Sequence, residues 1–433
     1  MQRLIRAAVL ALGAMGALAT AMNVMADPKP AELKIAMTTF LTGPASVFGV
    51  PGKAGAEIAI DEINAAGGIG GVKIKPIFLD EGVGGDKLLS EYRRVVQEEG
   101  VKVTIASISS GNCNALAPVA EDLKVLNVMW DCGTEKLLEN HRYKFVVRSQ
   151  ANATSEMVAS VLYLLKVKPN FKTIAVVNQD YAWGRDSWDI FINTLRTLKP
   201  DVQVVAEMFP KFGATDFSSE ISKLQALSPD VILSTSYGGE LDTLIRQATQ
   251  RGLIRTSTWI LPLGESSLER VGKSLPDGVI VGMRGDHYFL HPEYKDEARL
   301  KGFVEKYRAK TSQYPIYPVF HAVAAVQAVV DGYNAAIKQN GGNWPSTEQV
   351  ADAMHKLTFR GLTRPVTIRE DGQGLEDQML GVTKMTPAYP FPVIQNLTLY
   401  PGALVTNPVG TKSPDWVKTL KPEMFKDSRI KAL

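Results

Sequence analysis

The chain has 433 residues, with 48 Lys and Arg against 45 Asp and Glu for a formal net charge of +3. Hydrophobic residues at 45% and charged residues at 21% are those of an ordinary globular protein and exclude a disordered or low-complexity chain. So small a net charge gives no electrostatic footprint for nucleic acid or an anionic membrane.

The first 26 residues, "MQRLIRAAVLALGAMGALATAMNVMA", read as a secretory signal. Two arginines precede an apolar run from Ala7 to about Thr20, and Val24-Met25-Ala26 forms a small-residue cleavage pattern. A retained anchor would need about 20 uninterrupted apolar residues, and a lipid anchor at the cut would need a cysteine there. The expected mature chain starts near Asp27 and is soluble outside the cytoplasm. Losing Arg3 and Arg6 takes the charge from +3 to +1, and the 433 − 26 = 407 residues left suit two domains.

Next come strand "ELKIAMTTF", helix "GVPGKAGAEIAIDEINAAGG" stopped by Gly67-Gly68, and strand "VKIKPIFLD". Helix "GGDKLLSEYRRVVQEEG" carries Leu88, Leu89, Tyr92, Val95 and Val96 at helical spacing. Strand "VKVTIAS", helix "ALAPVAEDLKV" and strand "LNVMWD" follow. This alternation predicts a parallel sheet covered by helices on both faces. The pattern restarts at helix "TSEMVASVLYLLKV" and runs through strands "FKTIAVVNQ", "VQVVAEMF", "DVILSTS" and "STWILPL" with helices between them. The fold class expected is therefore α/β, two doubly wound units in series. Beyond Pro292 lie two helices, a strand-like "RPVTI", and a tail with Pro387, Pro390, Pro392, Pro401, Pro408 and Pro414 expected to wrap a surface in extended segments.

The motifs for chemistry fail one by one. A Walker loop at "VFGVPGKAG" would need Gly where Val47 stands and Ser or Thr where Ala54 stands; "GVGGDK" has Lys87 where a dinucleotide fingerprint needs Gly. No Gly-x-Ser-x-Gly elbow, no His-x-x-x-His pair on an expected helix and no Cys-x-x-Cys pattern occurs, so neither a metal nor a cofactor is expected. His321, on an apolar helix, reads as a hydrogen-bonded core histidine. A hydrolase built on Ser110 or Cys113 lacks a nearby base, so the chain is not expected to be an enzyme. What remains is a set of loops at the carboxyl ends of strands: "TTFLTGPASVFG", "SSGNCN", "DCGTE", "NQDYAWG", "STSYGG" and "LPLGE". Small and hydroxyl residues there suit a bound carboxylate at helix starts, and Phe48, Tyr181, Trp183 and Tyr237 supply aromatic walls.

The opening "KIAMTTFLTGPASVFGVPGKAGAEIAIDEINAAGGIGG", with "NQDYAWGRD" and "LIRQATQRGL", resembles the leucine/isoleucine/valine-type periplasmic binding proteins over about residues 32 to 385. The resemblance implies a type I solute-binding protein of an ABC importer, a periplasmic two-lobed molecule whose three hinge crossings let it close on a ligand and dock on permease and ATPase subunits. It places a ligand carboxylate at Ser110 and Gly111 and at Gly133 and Thr134, with Phe48, Trp183 and Tyr237 as aromatic contacts. In place of the family's acidic residue for the ligand ammonium the best register gives Leu261. Glu265 or Glu135 could serve, or the ligand could be an aromatic or other carboxylic acid without the amine, or an amide. A ligand sensor of the same fold is a second class of function. The expected N-terminal lobe is 32–149 plus 287–357 and the C-terminal lobe 150–286 plus 358–433. The two cysteines, Cys113 and Cys132, end neighbouring strands about 4.8 Å apart in an exported chain, so a disulfide is the expected state.

Overall fold

The computed structural model describes residues 28–433; the expected signal segment lies outside the described residues. Strand β1 (Glu32–Thr39) is followed by α1 (Ser46–Ala65), β2 (Lys73–Asp80), α2 (Gly85–Gln97), β3 (Val103–Ile105), α3 (Ser110–Asp122), β4 (Leu126–Met129), α4 (Lys136–Asn140) and β5 (Val146–Arg148). These strands form an all-parallel sheet in the order β2-β1-β3-β4-β5. Residues Ile35 to Thr39 are nearly all buried, the continuous burial expected of a central parallel strand covered on both faces. Leu88, Tyr92 and Val95 of α2 are its buried stripe, as their spacing requires.

The second sheet begins after α5 (Ala153–Val167), whose N-cap Asn152 accepts a hydrogen bond from the Ser155 N–H at 3.2 Å. It contains β6 (Thr173–Val177), α6 (Ala182–Leu198), β7 (Gln203–Met208), α7 (Ser218–Leu227), β8 (Val231–Leu233), α8 (Gly238–Gln250), β9 (Thr258–Leu261), α9 (Leu268–Val271) and β10 (Ile280–Gly282). Helices α10 (Ala298–Thr311), α11 (Tyr317–Gln339) and α12 (Thr347–Met354) follow, α11 packing along α1 of the first unit. A three-stranded sheet of β11 (Thr358–Arg360), β12 (Pro365–Ile368) and β13 (Gly374–Leu375) packs on α11. Its last turn joins the first sheet directly, the Arg148 N–H donating to the Gly372 carbonyl at 2.8 Å. That pairing keeps residues 358–375 beside the first sheet, where the boundary expected at 357 had put them in the C-terminal lobe.

The proline-rich tail does more than wrap a surface. Strands β14 (Gln378–Lys384), β15 (Val393–Tyr400) and β16 (Lys431–Ala432) extend the second sheet to the order β16-β15-β14-β10-β9-β8-β6-β7. They pair antiparallel, and the prolines at 387, 390, 392 and 401 stand just outside β14 and β15. A missing N–H there costs no ladder bond.

The chain passes between the two sheets three times, near 149–152, 283–291 and 375–378, and the passages are bonded side by side. The Ala151 N–H donates to Glu376 Oε2 at 3.0 Å, the Met379 N–H to the Gly285 carbonyl at 2.9 Å, and Gln373 Nε2 to the Gln150 carbonyl at 2.9 Å.

Candidate functional site

In each sheet the strand order reverses next to its first strand, which opens a crevice at the carboxyl ends of the strands. The loops after β3 and β4 face those after β6 and β8 across this crevice. Phe48, Ile108, Ser110, Asp131, Gly133, Tyr181, Trp183, Tyr237 and Arg284 line a narrow cavity between them. The two sides are in contact around it: Phe48 and Tyr237 rings lie 5.3 Å apart, and the Gly239 N–H donates to the Pro44 carbonyl at 3.1 Å. Tyr181 Oη donates to Tyr237 Oη at 3.0 Å, and Trp183 Nε1 to the Thr235 carbonyl at 2.9 Å, fixing both aromatic walls.

Helix α3 starts at Ser110 because Ser109 caps it, accepting from the Asn112 N–H at 3.4 Å. Its start is thus five residues earlier than the apolar pattern from Ala115 suggests, and Ser110 sits in the first turn, where backbone N–H groups have no intrahelical acceptor. Ser110 Oγ accepts the Thr134 N–H at 3.2 Å, joining the loops after β3 and β4. The expected disulfide joins the same loops: Cys113 and Cys132 are bonded, with Cα atoms 6.5 Å apart and both residues buried.

Of the residues expected at the site, Phe48, Ser110, Gly133, Trp183 and Tyr237 line this cavity, and three do not. Gly111 lines the wider mouth outside it, with Phe40, Pro44, Phe212 and Glu240. Thr134 turns to the second lobe, Oγ1 donating to Asp186 Oδ2 at 2.7 Å, while its carbonyl accepts from Arg148 Nη2 at 2.6 Å. Glu265 is buried elsewhere, its Oε2 accepting the Tyr317 N–H at 2.8 Å at the start of α11; burial pushes its pKa up to about 8 against that bond. Glu135, the other candidate acid, also lies outside the cavity and is raised to about 8 by burial and by the Asp186 charge.

Two charged residues that the sequence reading left out stand in the cavity wall instead. Arg284, in the second passage, donates through Nε to both Glu156 oxygens at 3.1 and 3.0 Å, through Nη2 to Glu156 Oε1 at 2.9 Å, and through Nη1 to the Asp131 carbonyl at 2.8 Å. Its guanidinium lies 4.6 Å from the Trp183 ring centre. Asp131 stands two residues past the end of β4. Its Oδ1 lies 2.5 Å from His321 Nδ1, and His321 Nε2 lies 2.8 Å from the Arg284 carbonyl. A carbonyl only accepts, so Nε2 carries hydrogen and one proton is shared between Nδ1 and Oδ1. Burial raises the Asp131 carboxyl to about 8 against the pull of Arg284, and burial lowers His321. The histidine is thus hydrogen-bonded in the core, under the floor of the cavity.

Behind this floor, ligand-type atoms of His287, His321 and Glu376 lie within 4.8 Å of one another, from segments too far apart for a spacing motif. Both His321 nitrogens are engaged, and His287 Nε2 sits 2.7 Å from Glu376 Oε1, so the group ties the second and third passages together as an ionic network. The signal for Arg284 and Asp131 was weak: a charge just past a buried strand and another among the mixed polar and aromatic residues of a passage.

Among the described residues no helix is long and apolar enough to cross a membrane. A family model described as periplasmic binding protein matches residues 32–384. The leucine-, isoleucine-, valine-, threonine- and alanine-binding protein of Pseudomonas aeruginosa is 24% identical over 342 residues, covering 78% of this chain and 86% of that protein. The Leu/Ile/Val-binding protein of Escherichia coli is 25% identical over 321 residues, 74% of this chain and 83% of its own. Among solved structures, a leucine-binding protein of Thermotoga maritima superposes with a TM-score of 0.70 at 24% identity, covering 84% of this chain and 98% of that one. An ABC-transporter solute-binding protein of Rhodopseudomonas palustris in complex with benzoate superposes at 0.73 with 18% identity, covering 84% and 96%. With the match running from β1 through β14 and the same two-lobed architecture in its structural neighbours, this chain belongs to the periplasmic binding protein family.

Proposed function

We propose that the protein is the extracytoplasmic substrate-binding component of an ABC importer, exported through residues 1–26 and acting in the periplasm. It captures a small carboxylate, a branched-chain or other apolar amino acid, between its lobes and delivers it to a membrane permease driven by a separate ATPase. The observation that carries this reading is the lining of the interlobe crevice, with Ser110 at the start of α3 on one side and the aromatic residues Trp183 and Tyr237 on the other. A carboxylate at a helix start is stabilised by free N–H groups without a buried counterion. Lobe closure around the ligand then presents a surface that the open form lacks. The relatives from P. aeruginosa and E. coli, which bind such amino acids, support it.

A second reading, an aromatic or other carboxylic acid without an amine, is favoured by the four aromatic rings in the wall and by the Arg284 guanidinium among them. A thermal-shift screen of branched-chain amino acids, aromatic acids, amides such as urea, and dicarboxylates tests both. Binding predicts a melting temperature that climbs with the logarithm of ligand concentration. A transition unmoved by every class overturns the proposal.

A further inference from the structure

The floor of the cavity carries a carboxylate with an oxygen that no described residue satisfies. Asp131 is wholly buried and lines the cavity, and its Oδ2 has no hydrogen-bond partner among the described residues. A buried carboxyl oxygen is costly to leave without a donor. The companion Oδ1 is already held by His321 and faces Arg284 Nη1 at 3.4 Å. Nearby positive charge is likewise spoken for: Arg284 is matched by Glu156 through Nε and Nη2, and its Nη1 is turned to the Asp131 carbonyl and Oδ1. The cavity therefore has an anion-accepting side, at Ser110 in the first turn of α3, and a separate side with a bare acceptor.

Resting on the carboxylate-binding role proposed above, we infer that Asp131 Oδ2 receives the ammonium group of the ligand, so that the cleft selects zwitterionic α-amino acids over the same acids without the amine. The acid comes from the first lobe, on the loop that also carries Gly133. The second lobe puts no acid in the cavity wall itself: Leu261 is apolar, Glu265 is turned to the Tyr317 N–H outside the cavity, and Glu240 lines the mouth. A zwitterion also balances the site, because the shared proton leaves Asp131 with His321 neutral as a pair and Arg284 is neutralised by Glu156. A deaminated acid would keep its place at Ser110 but leave Oδ2 without a donor.

The test is calorimetry on the exported full-length protein freed of bound ligand, using two matched pairs: L-leucine with 4-methylpentanoate, and L-phenylalanine with 3-phenylpropanoate. At least one amino acid is expected to bind, with its deaminated partner weaker by about 30-fold or more. Asp131→Asn should weaken the amino acid by a similar factor and leave the deaminated acid within about twofold. A deaminated acid that binds as tightly as its partner overturns the inference while leaving the carboxylate role standing, and so does an Asn variant that weakens both equally. Binding by none of the four overturns the inference and the apolar amino acid reading together. The wild-type comparison decides the matter even if the variant does not fold.

Discussion

A methyl group placed on Gly133 would stand 2.2 Å from Cζ3 of Trp183 and 2.6 Å from Arg284 Nη2. Gly133 belongs to the first lobe and Trp183 to the start of α6 in the second, so the two lobes approach at this point until no side chain fits between them. The need for glycine is one of space across the cleft, since its backbone is not among the positive-φ residues. Gly133→Ala should leave each lobe folded and bias the molecule toward the open form. Small-angle scattering would then show the wild type compacting on ligand addition and the variant failing to, with affinity down about tenfold or more. A variant that compacts at wild-type affinity would show that the lobes do not close through this contact.

Cys113 and Cys132 are separated by 19 positions, and the bridge closes a loop that contains the whole of β4. Cross-linking a loop of this length stabilises by about 3 kcal/mol in the chain-entropy treatment. The double variant Cys113→Ser with Cys132→Ser should therefore melt several degrees lower than the wild type. It should also lose affinity, because Ser110 and Gly133 then sit on untied loops. Mass spectrometry without reductant checks the bridge in the exported protein; two alkylatable thiols would refute it.

How much of this was legible in the sequence follows from the range of the interactions. The parallel sheets, their helices and the loops at the strand ends were readable because apolar periodicity is local, and Phe48, Ser110, Gly133, Trp183 and Tyr237 fell on those loops. Arg284 was invisible because its meaning depends on Glu156, 128 positions away, and on Asp131, 153 positions away. Glu265 misled because an acid near a strand end reads as a cleft residue, while the Tyr317 N–H that claims it lies 52 positions on. The proline-rich tail misled for another reason: its prolines bracket β14 and β15, so the composition of the turns hid the strands between them.

Among the described residues Ser110 Oγ has one partner, the Thr134 N–H, and Ser110 lines the cavity. Ser110→Ala removes an acceptor for that N–H, which costs about 1 kcal/mol of stability. Its larger effect should be on the ligand, with Kd raised about tenfold or more if the hydroxyl donates to a carboxylate oxygen. Circular dichroism should be unchanged. Calorimetry decides, and an unchanged Kd would remove Ser110 from the site.

Glu265 gives the protein a pH dependence with a definite sign. Its carboxyl titrates at the ordinary 4.5 when the chain is unfolded and at about 8 in the folded protein, where burial outweighs the Tyr317 hydrogen bond and the attraction of Arg270. Between those values the folded state holds a proton that the unfolded state has lost, so this group's contribution to stability is complete below 4.5 and is lost as pH rises through 8. Glu265→Gln keeps a carbonyl oxygen for the Tyr317 N–H and does not titrate. The variant should melt close to the wild type at pH 5, and its advantage should widen up to about pH 8 and level off above it. Calorimetric melting across that range checks the sign: a difference that stays flat, or that shrinks as pH rises, would mean that Glu265 is already ionised in the folded protein at neutral pH.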